Sequence, residues 1–133
     1  MFLIDSNVWL ERLLGQERAG EVAEFLEAIP DEKLFITDFA FHSISIALLN
    51  LDKEPLLEEF VNDLFIEGSV RLIRLEPRDL GLIIAAKQHF KLDFDDAYQY
   101  VASKKYDLTL VSFDSDFDRT DLKRKTPGQI IKQ

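Results

Sequence analysis

Short apolar runs that alternate with helix-like segments constrain the fold of this chain more than any other feature. The clearest runs are Phe2-Leu3-Ile4, Leu34-Phe35-Ile36 and Leu108-Thr109-Leu110-Val111, with a weaker, imperfectly alternating run from Val70 to Leu75. The segments between them carry apolar residues at helical spacing. Short buried strands joined by helices favour a parallel sheet with right-handed crossovers. We therefore expect an α/β fold with a central, mainly parallel sheet.

The composition is that of a single folded domain. With 133 residues, 47% of them hydrophobic, the chain is long enough to bury a continuous core and too apolar to remain disordered. The sequence contains no internal repeat, low-complexity tract or linker-like stretch. We predict one domain over residues 1–133.

Several absences narrow the class of protein. The chain has no cysteine, which excludes a disulfide framework and any cysteine-ligated zinc or iron–sulfur site. No signal-peptide pattern is present, and no apolar run approaches the roughly 20 residues needed to span a bilayer. The formal charge of −9 argues against a broad basic surface for nucleic acid, although a local patch or a bound metal could overcome that average. We expect a soluble, cytoplasmic protein.

Turn and cap residues divide the intervening segments into helices. Asp5-Ser6-Asn7 ends the first strand, and Gly15 closes the helix that follows. Thr37 and Asp38 offer a cap for a helix that runs to about Asn50 and is apolar almost all round, so we expect it to be buried. Further helices are expected over Arg18 to Ala28, from Pro55 to Gly68, from Pro77 with an inward face of Leu80, Ile83 and Ile84, and over Asp93 to Lys105, before a short final strand or a tail.

Two aspartates lie where strands of the predicted sheet end. Asp5 closes the first apolar run, and Asp114 comes shortly after the last one. In an open parallel sheet, ligands tend to bind outside the carboxyl ends of the strands. Carboxylates gathered there repel one another unless a divalent cation, protons or hydrogen-bond donors offset the charge. A metal-dependent activity is the hypothesis to test, although either aspartate alone is more often a turn or cap residue.

A third aspartate is expected on the inner side of a helix. Asp96 shares the side of the apolar residues Ala97 and Val101, whereas Asp95 shares its side with Gln99 and is assigned to the outer face. A carboxylate that points toward a core boundary must be paired, hydrogen-bonded or metal-bound to avoid a desolvation penalty of several kcal/mol. A structural hydrogen bond and a metal ligand are equal alternatives for Asp96.

Other chemistries have weaker support. An aspartyl-phosphate enzyme would want a second acid two residues after Asp5, where Asn7 stands. His42 follows Asp38 by one helical turn in an otherwise apolar segment. We favour a buried, hydrogen-bonded histidine there over a metal ligand.

Three segments in order resemble the best-marked motifs of PIN-domain ribonucleases. They are Phe2-Leu3-Ile4-Asp5-Ser6-Asn7-Val8-Trp9-Leu10, Asp95-Asp96-Ala97-Tyr98 and Leu110-Val111-Ser112-Phe113-Asp114-Ser115-Asp116-Phe117. Their order, their spacing and the total length are similar to the VapC-like toxins of prokaryotic toxin–antitoxin pairs. The resemblance implies a three-layer α/β/α fold with a central parallel sheet and an acidic site that binds Mg²⁺ or Mn²⁺.

The resemblance also implies roles for individual residues. The residues that match the family's acids are Asp5, Asp96 and Asp114, with Asp116 as an auxiliary acid. Asn7 and Ser112 match the polar residues that commonly accompany the first and last motifs and orient carboxylates or water.

One position departs from the family's pattern. PIN nucleases usually carry another acid, often glutamate, early in the helix after the second strand. Here that position is Ser43, with His42 beside it, and Asp38 lies too early in the helix. His42, Ser43 or water could fill the vacant place, and the missing acid bears on metal number and catalytic competence.

The activity that the resemblance implies is hydrolysis of RNA phosphodiester bonds. Asp5, Asp96 and Asp114 would position one or two hard cations, which polarise the phosphate and lower the pKa of the attacking water. Candidate phosphate contacts are Lys123-Arg124-Lys125 and the pair Arg71 and Arg74, although solvated surface charge is the commoner role of such residues.

Two functional hypotheses follow. On the first, the chain is the toxin of a toxin–antitoxin pair, with RNA as substrate, a small antitoxin as partner and a homodimer as its assembly. On the second, it is a catalytically weakened or inactive PIN-like module that binds a partner protein. The missing glutamate favours the second hypothesis, and the retained acids favour the first. Eleven phenylalanines could supply an apolar interface in either case.

Overall fold

The computed structural model describes residues 1–132 and contains a four-stranded sheet. The strands are β1 (Phe2–Ile4), β2 (Leu34–Thr37), β3 (Arg71–Ile73) and β4 (Thr109–Val111), in the spatial order β3-β2-β1-β4. All neighbouring strands are parallel, and Phe2 pairs with Leu34 on one side and with Thr109 on the other. The predicted parallel sheet is confirmed.

The strand order reverses at β1. The chain runs outward from β1 through β2 to β3 and then returns to the other side of β1 as β4. Such a reversal opens a crevice between the carboxyl ends of the two strands that flank it. Asp5 directly follows β1, and Ser112 directly follows β4, so both lie at this crevice.

Helices connect the strands throughout residues 1–132. They are α1 (Ser6–Leu13), α2 (Ala19–Ala28), α3 (Asp38–Asn50), α4 (Glu54–Val61), α5 (Leu80–Phe90), α6 (Phe94–Lys105) and α7 (Pro127–Ile131), and a π-helical turn (Asn62–Ile66) extends α4. Gly15 follows α1 with a φ of +61°, a conformation that glycine adopts without strain. Thr37 caps α3, because its hydroxyl accepts a hydrogen bond from Ala40 N. None of these helices is both long and apolar enough to cross a membrane.

Apolar side chains that point to opposite faces of the sheet form two hydrophobic clusters. Ile4 and Ile36 belong to a cluster that packs against α1, α2, α3, α4 and α7. Their neighbours Leu3 and Phe35 belong to a second cluster, which packs against α5 and α6. Because successive side chains of a strand point to opposite faces, both faces of the sheet are covered by helices. The three-layer α/β/α architecture is thereby confirmed.

Two expectations about helix burial are wrong. In α3, which we expected to be buried, Ile46 is 60% exposed. In α5, Ile83 is buried as expected, but Leu80 and Ile84 are 48% and 45% exposed, and Ala86 takes the inward place. The first turns of α5 are apolar on several sides, so helical spacing alone could not identify the flank that packs on the sheet and α6.

The segment after β4 is neither a full strand nor a tail. Ser112 N donates to Lys125 O and Lys125 N donates to Leu110 O, so one parallel bridge forms between Val111 and Lys125. The short helix α7 follows, and Thr126 and Gln129 cap it reciprocally.

Candidate metal centre

The crevice beyond β1 and β4 contains an acidic cavity of about 210 Å³. The start of α1, the first half of α3, the first turns of α6 and the segment after β4 form its walls. Four aspartates line it, together with uncharged polar side chains that include those of Ser43 and Gln99; the aspartates are Asp5, Asp95, Asp96 and Asp114.

Asp5 lies at the floor of this cavity and is only 6% exposed. Its Oδ1 accepts hydrogen bonds from Ser6 N at 2.9 Å and from Gln99 Nε2 at 3.1 Å. Its Oδ2 accepts one from Ser112 Oγ at 2.8 Å and a longer one from Asn7 Nδ2 at 3.4 Å. The bond from Ser6 N caps α1, so the cap role and the place in the cavity belong to the same carboxylate.

Asn7 and Ser112 link the ends of β1 and β4. Asn7 Nδ2 donates to Ser112 Oγ at 3.1 Å, and Asn7 Oδ1 accepts from Phe113 N at 3.2 Å. Ser112 Oγ also accepts from Asp114 N at 3.0 Å, so its own proton is the one directed to Asp5. These two residues therefore orient the floor carboxylate.

Two of the lining acids, Asp96 and Asp114, form a cluster with Asp116 at the mouth of the cavity. Carboxylate oxygens of Asp96, Asp114 and Asp116 lie within 4.8 Å of one another. Asp114 Oδ1 caps the following 3₁₀ turn by accepting from Asp116 N at 2.9 Å. Asp116 is 2.9 Å from the guanidinium of Arg119, which partly neutralises it.

Burial and like charges disfavour ionisation in this site. Burial raises the pKa of Asp5, while the donors Ser112, Gln99 and Ser6 N lower it, and the charge of Asp114 raises it further. Partial burial, followed by repulsion from Asp114, Asp95 and Asp5, raises the pKa of Asp96 to about 7. Asp96 would therefore gain from a nearby cation.

The donor set fits a hard divalent cation. The carboxylate oxygens of Asp96, Asp114 and Asp116 lie within 4.8 Å of one another, and the polar side chains of the cavity wall are carboxylates, hydroxyls and amides. Oxygen ligands suit Mg²⁺, Mn²⁺ and Ca²⁺ rather than softer metals. The unrelieved repulsion at Asp96 indicates the same chemistry, because a cation would offset it.

The sequence and this geometry match one family of proteins. The model of the PIN domain family matches residues 2–123. The chain belongs to the PIN-domain family. Members of this family are typically nucleases. No curated protein matches the sequence.

Solved structures of distant relatives share the fold of this PIN domain. A toxin–antitoxin complex from Klebsiella pneumoniae is 19% identical, with a TM-score of 0.75 over 96% of this chain and 98% of the other. VapC20 of Mycobacterium tuberculosis, a toxin that cleaves the sarcin–ricin loop, is 15% identical, with a TM-score of 0.76 over 96% and 100%. The protein FitAcB from Neisseria gonorrhoeae is 21% identical, with a TM-score of 0.74 over 96% and 98%.

The structure distinguishes Ser43 from His42 at the place where PIN nucleases usually carry a further acid. Ser43 lines the cavity. His42 is exposed and is not among the lining residues, so the expected buried histidine is wrong. Adjacent residues of a helix point about 100° apart, and α3 turns position 43 toward the acids.

Asp38 has another role than the expected cap. Thr37 is the N-cap of α3, and Asp38 is its first helical residue. Asp38 Oδ1 accepts from Phe39 N at 2.8 Å and from the Tyr98 hydroxyl at 2.7 Å. Burial and this bond raise the pKa of Tyr98 to about 12. Asp38 therefore fastens α3 to α6 beside the cavity.

Gln99, which lines the cavity, was missed because its side of α6 was taken as the outer face. Gln99 is 3% exposed and Ser103, on the same side, is 1% exposed. Asp95 is itself exposed, but it lines the cavity and adds its charge to that of Asp96. The repeated polar residue every fourth position could have indicated an inward polar stripe. Polar residues at helical spacing, however, are more often solvated.

Proposed function

We propose that this PIN domain is a metal-dependent ribonuclease that hydrolyses RNA phosphodiester bonds. The observation that carries the proposal is the approach of the Asp96, Asp114 and Asp116 oxygens to within 4.8 Å, beside the buried Asp5. Carboxylates are held so close against their mutual repulsion where a cation completes the site. Mg²⁺ and Mn²⁺ are the cations proposed.

Each wall of the cavity has a role in the proposed mechanism. Asp96 and Asp114 would hold the cation together with Asp5, and Asp116 would support them. When bound, the cation would act as a Lewis acid on the phosphate and would lower the pKa of the attacking water. Asn7 and Ser112 keep the Asp5 carboxylate in one orientation. Ser43 contributes a hydroxyl where a fourth carboxylate is usual, so the site carries one negative charge fewer against an anionic backbone.

The candidate phosphate contacts differ in their availability. Arg124 is engaged by both oxygens of Asp118 and by Ser112 O, so its role is structural. Arg71 lies over the ring of Phe35, with 5.6 Å between its Cζ atom and the ring centroid. Arg74 lines an open groove of about 580 Å³ that also includes Asp38, close to the acidic cavity. Of these three arginines, we propose Arg74 as the phosphate contact.

The biological setting proposed is a toxin–antitoxin pair in the cytoplasm. The relatives from Klebsiella pneumoniae and Mycobacterium tuberculosis that share this fold are described as a toxin–antitoxin complex and as a toxin. Apolar side chains stand exposed on two helices, with Ile46 of α3 and Leu82 of α5 each 60% exposed. We propose that a small antitoxin and a second copy of the chain cover such surfaces.

A second candidate function is a protein-binding PIN module without activity. Ser43 favours it, because the usual fourth acid is missing there. On this alternative, the exposed apolar side chains would be retained for binding and the acids would have no catalytic use.

Cleavage and metal binding measured together test the two candidates. Wild type, Asp96→Asn, Asp114→Asn and the surface control Glu24→Gln would be incubated with a mixed RNA pool and Mn²⁺. We expect cleavage by wild type and Glu24→Gln only. Equal, metal-independent cleavage by all four would overturn the mechanism. Absence of both cleavage and Mn²⁺-induced thermal stabilisation in wild type would establish the binding module instead.

A further inference from the structure

A buried chain of hydrogen bonds joins the start of α3 to the floor of the cavity. Ala40 N donates to Thr37 Oγ1 at 3.0 Å, and Thr37 Oγ1 donates to Gln99 Oε1 at 2.7 Å. Gln99 Nε2 then donates to Asp5 Oδ1 at 3.1 Å. The side chains of Thr37, Gln99 and Asp5 are 0%, 3% and 6% exposed. This buried series of hydrogen bonds therefore connects the start of α3, helix α6 and the end of β1.

The orientation of the Gln99 amide follows from its two partners. A carboxylate accepts hydrogen bonds, so the NH₂ group of Gln99 faces Asp5. The opposite orientation would direct the amide oxygen at the carboxylate, and two acceptors repel. The Thr37 hydroxyl accepts the Ala40 N–H and donates its own proton to the Gln99 carbonyl. Thr37 thus supports the orientation in which Gln99 donates to Asp5.

Gln99 also relates two acids of the centre to each other. It lies three residues after Asp96, on neighbouring parts of α6. Its bond to Asp5 ties α6 to the end of β1, while Ser112 holds the other oxygen of Asp5 at 2.8 Å. The Gln99 amide therefore links the Asp5 carboxylate to the helix that carries Asp96.

We propose that Gln99, oriented by Thr37, is a positioning residue of the metal centre that holds Asp5 at a set distance from Asp96. The inference rests on the proposed function, because it takes these acids to hold a divalent cation. Hydrogen-bond partners of metal ligands commonly contribute about 10- to 100-fold to metal affinity. An amide supplies this support without adding negative charge, which a carboxylate in the same place would do.

Substitutions at Thr37 give the sharpest test, because Thr37 hydrogen-bonds to Gln99 and not to the acids and lies outside the cavity wall. Thr37→Val removes the hydroxyl at similar size, and Thr37→Ser keeps it. We expect Mn²⁺ affinity, measured by EPR titration without RNA, to fall about tenfold in Thr37→Val and to be restored in Thr37→Ser. Gln99→Met should lose at least as much, and adding Thr37→Val to it should change nothing further.

Ser103→Ala is the matched control. Ser103 lies on the same helix, is 1% exposed and donates to Leu108 O at 2.6 Å, so its loss removes a buried hydrogen bond away from the cavity. Its melting temperature can fall, but its Mn²⁺ affinity should stay within about twofold of wild type. Circular dichroism at the assay temperature verifies that each variant is folded.

A metal-free readout comes from the side-chain amide of Gln99. Its NMR signals are assigned by their loss in Gln99→Met, and we expect them to shift in Thr37→Val and in Asp5→Asn but not in Ser103→Ala. Unchanged Mn²⁺ affinity in Thr37→Val and Gln99→Met would overturn the positioning role and leave the proposed function intact. Equal losses in Ser103→Ala and Thr37→Ser would also overturn it. A wild type that binds no Mn²⁺ would overturn the proposed function, and this inference with it.

Discussion

The carboxylates that share this cavity differ in the hydrogen bonds that they accept. Asp5, the floor acid, is 6% exposed and accepts one backbone and two side-chain hydrogen bonds of 3.1 Å or less. Asp96 and Asp114, the rim acids, are less buried. Within residues 1–132, the hydrogen-bonding neighbour of the Asp96 carboxyl is another acid, Asp114, and burial followed by the charges around it raises the pKa of Asp96 to about 7.

On the proposed function, this contrast predicts which carboxylates depend on an ion. A buried carboxylate is tolerated where donors replace the water that it has lost, as at the floor. At Asp96, the charges of Asp114, Asp95 and Asp5 oppose ionisation, and a proton or a cation would offset them. On the proposed function, the floor acid would therefore contribute geometry, and the rim acids would contribute affinity for the ion.

Removing a rim acid should have the largest effect on activity. Asp96→Asn deletes a ligand and also the repulsion from Asp114 and Asp5. We expect single-turnover RNA cleavage to fall by about 10³-fold. The metal-free protein should become more stable by about 1 kcal/mol, after allowance for solvent screening. A lower melting temperature of metal-free Asp96→Asn would contradict the description of the rim.

Removing the floor acid should change stability in the opposite direction. In Asp5→Asn, the new NH₂ group must face one of the groups that now donate to the carboxylate, such as Gln99 Nε2 or Ser112 Oγ. Leaving a buried donor unpaired costs about 2 kcal/mol, which urea unfolding of the metal-free protein would measure. If Asp5→Asn instead stabilised the metal-free protein, as we expect for Asp96→Asn, the described difference between the floor acid and the rim acids would be wrong.

Adding an acid beside the rim should strengthen metal binding. Ser43 lines the cavity, and Ser43→Glu would place a carboxylate at the family's usual position. We expect Mn²⁺ affinity to rise about tenfold, because ligand charge tunes such sites, and metal-free stability to fall through added repulsion. Ser43→Gln is the uncharged control of matched size. Equal Mn²⁺ affinities of Ser43→Glu and Ser43→Gln in calorimetric titrations would exclude the charge effect.

The smallest effect expected is on the pH dependence of stability. The folded-state pKa of Asp96, about 7, lies above its ordinary value of 3.8, so the folded protein binds the extra proton. This contribution to stability is fully present below about pH 3.8 and is lost as the pH rises toward 7. We compare the melting temperatures of metal-free wild type and metal-free Asp96→Asn. The value of wild type minus that of Asp96→Asn should decrease by roughly a few degrees between pH 4.5 and pH 8. A melting-temperature difference that stays constant across this pH range would contradict the raised pKa of Asp96.

Local patterns were sufficient to predict the framework. Strand-length apolar runs that end in polar residues predicted all four strands, and they placed Asp5 and Asp114 at strand ends. The faces of α3 and α5 were predicted wrongly. Ile46 and Ile84 are apolar but exposed, because burial depends on which flank of a helix meets the sheet.

Residue type, spacing and resemblance to a family predicted Asp5, Asp96 and Asp114 as the acids of one site, and their role as metal ligands stays a prediction. Tertiary structure decided how each acid is held. The bond between Gln99 and Asp5 joins residues 94 positions apart, and whether Ser43 or His42 meets the cavity depends on the rotation of α3. Sequence periodicity specifies which residues share a side of a helix. Which side the helix buries is set by the packing of the whole chain, and at this centre that packing places a neutral amide beside a buried charge.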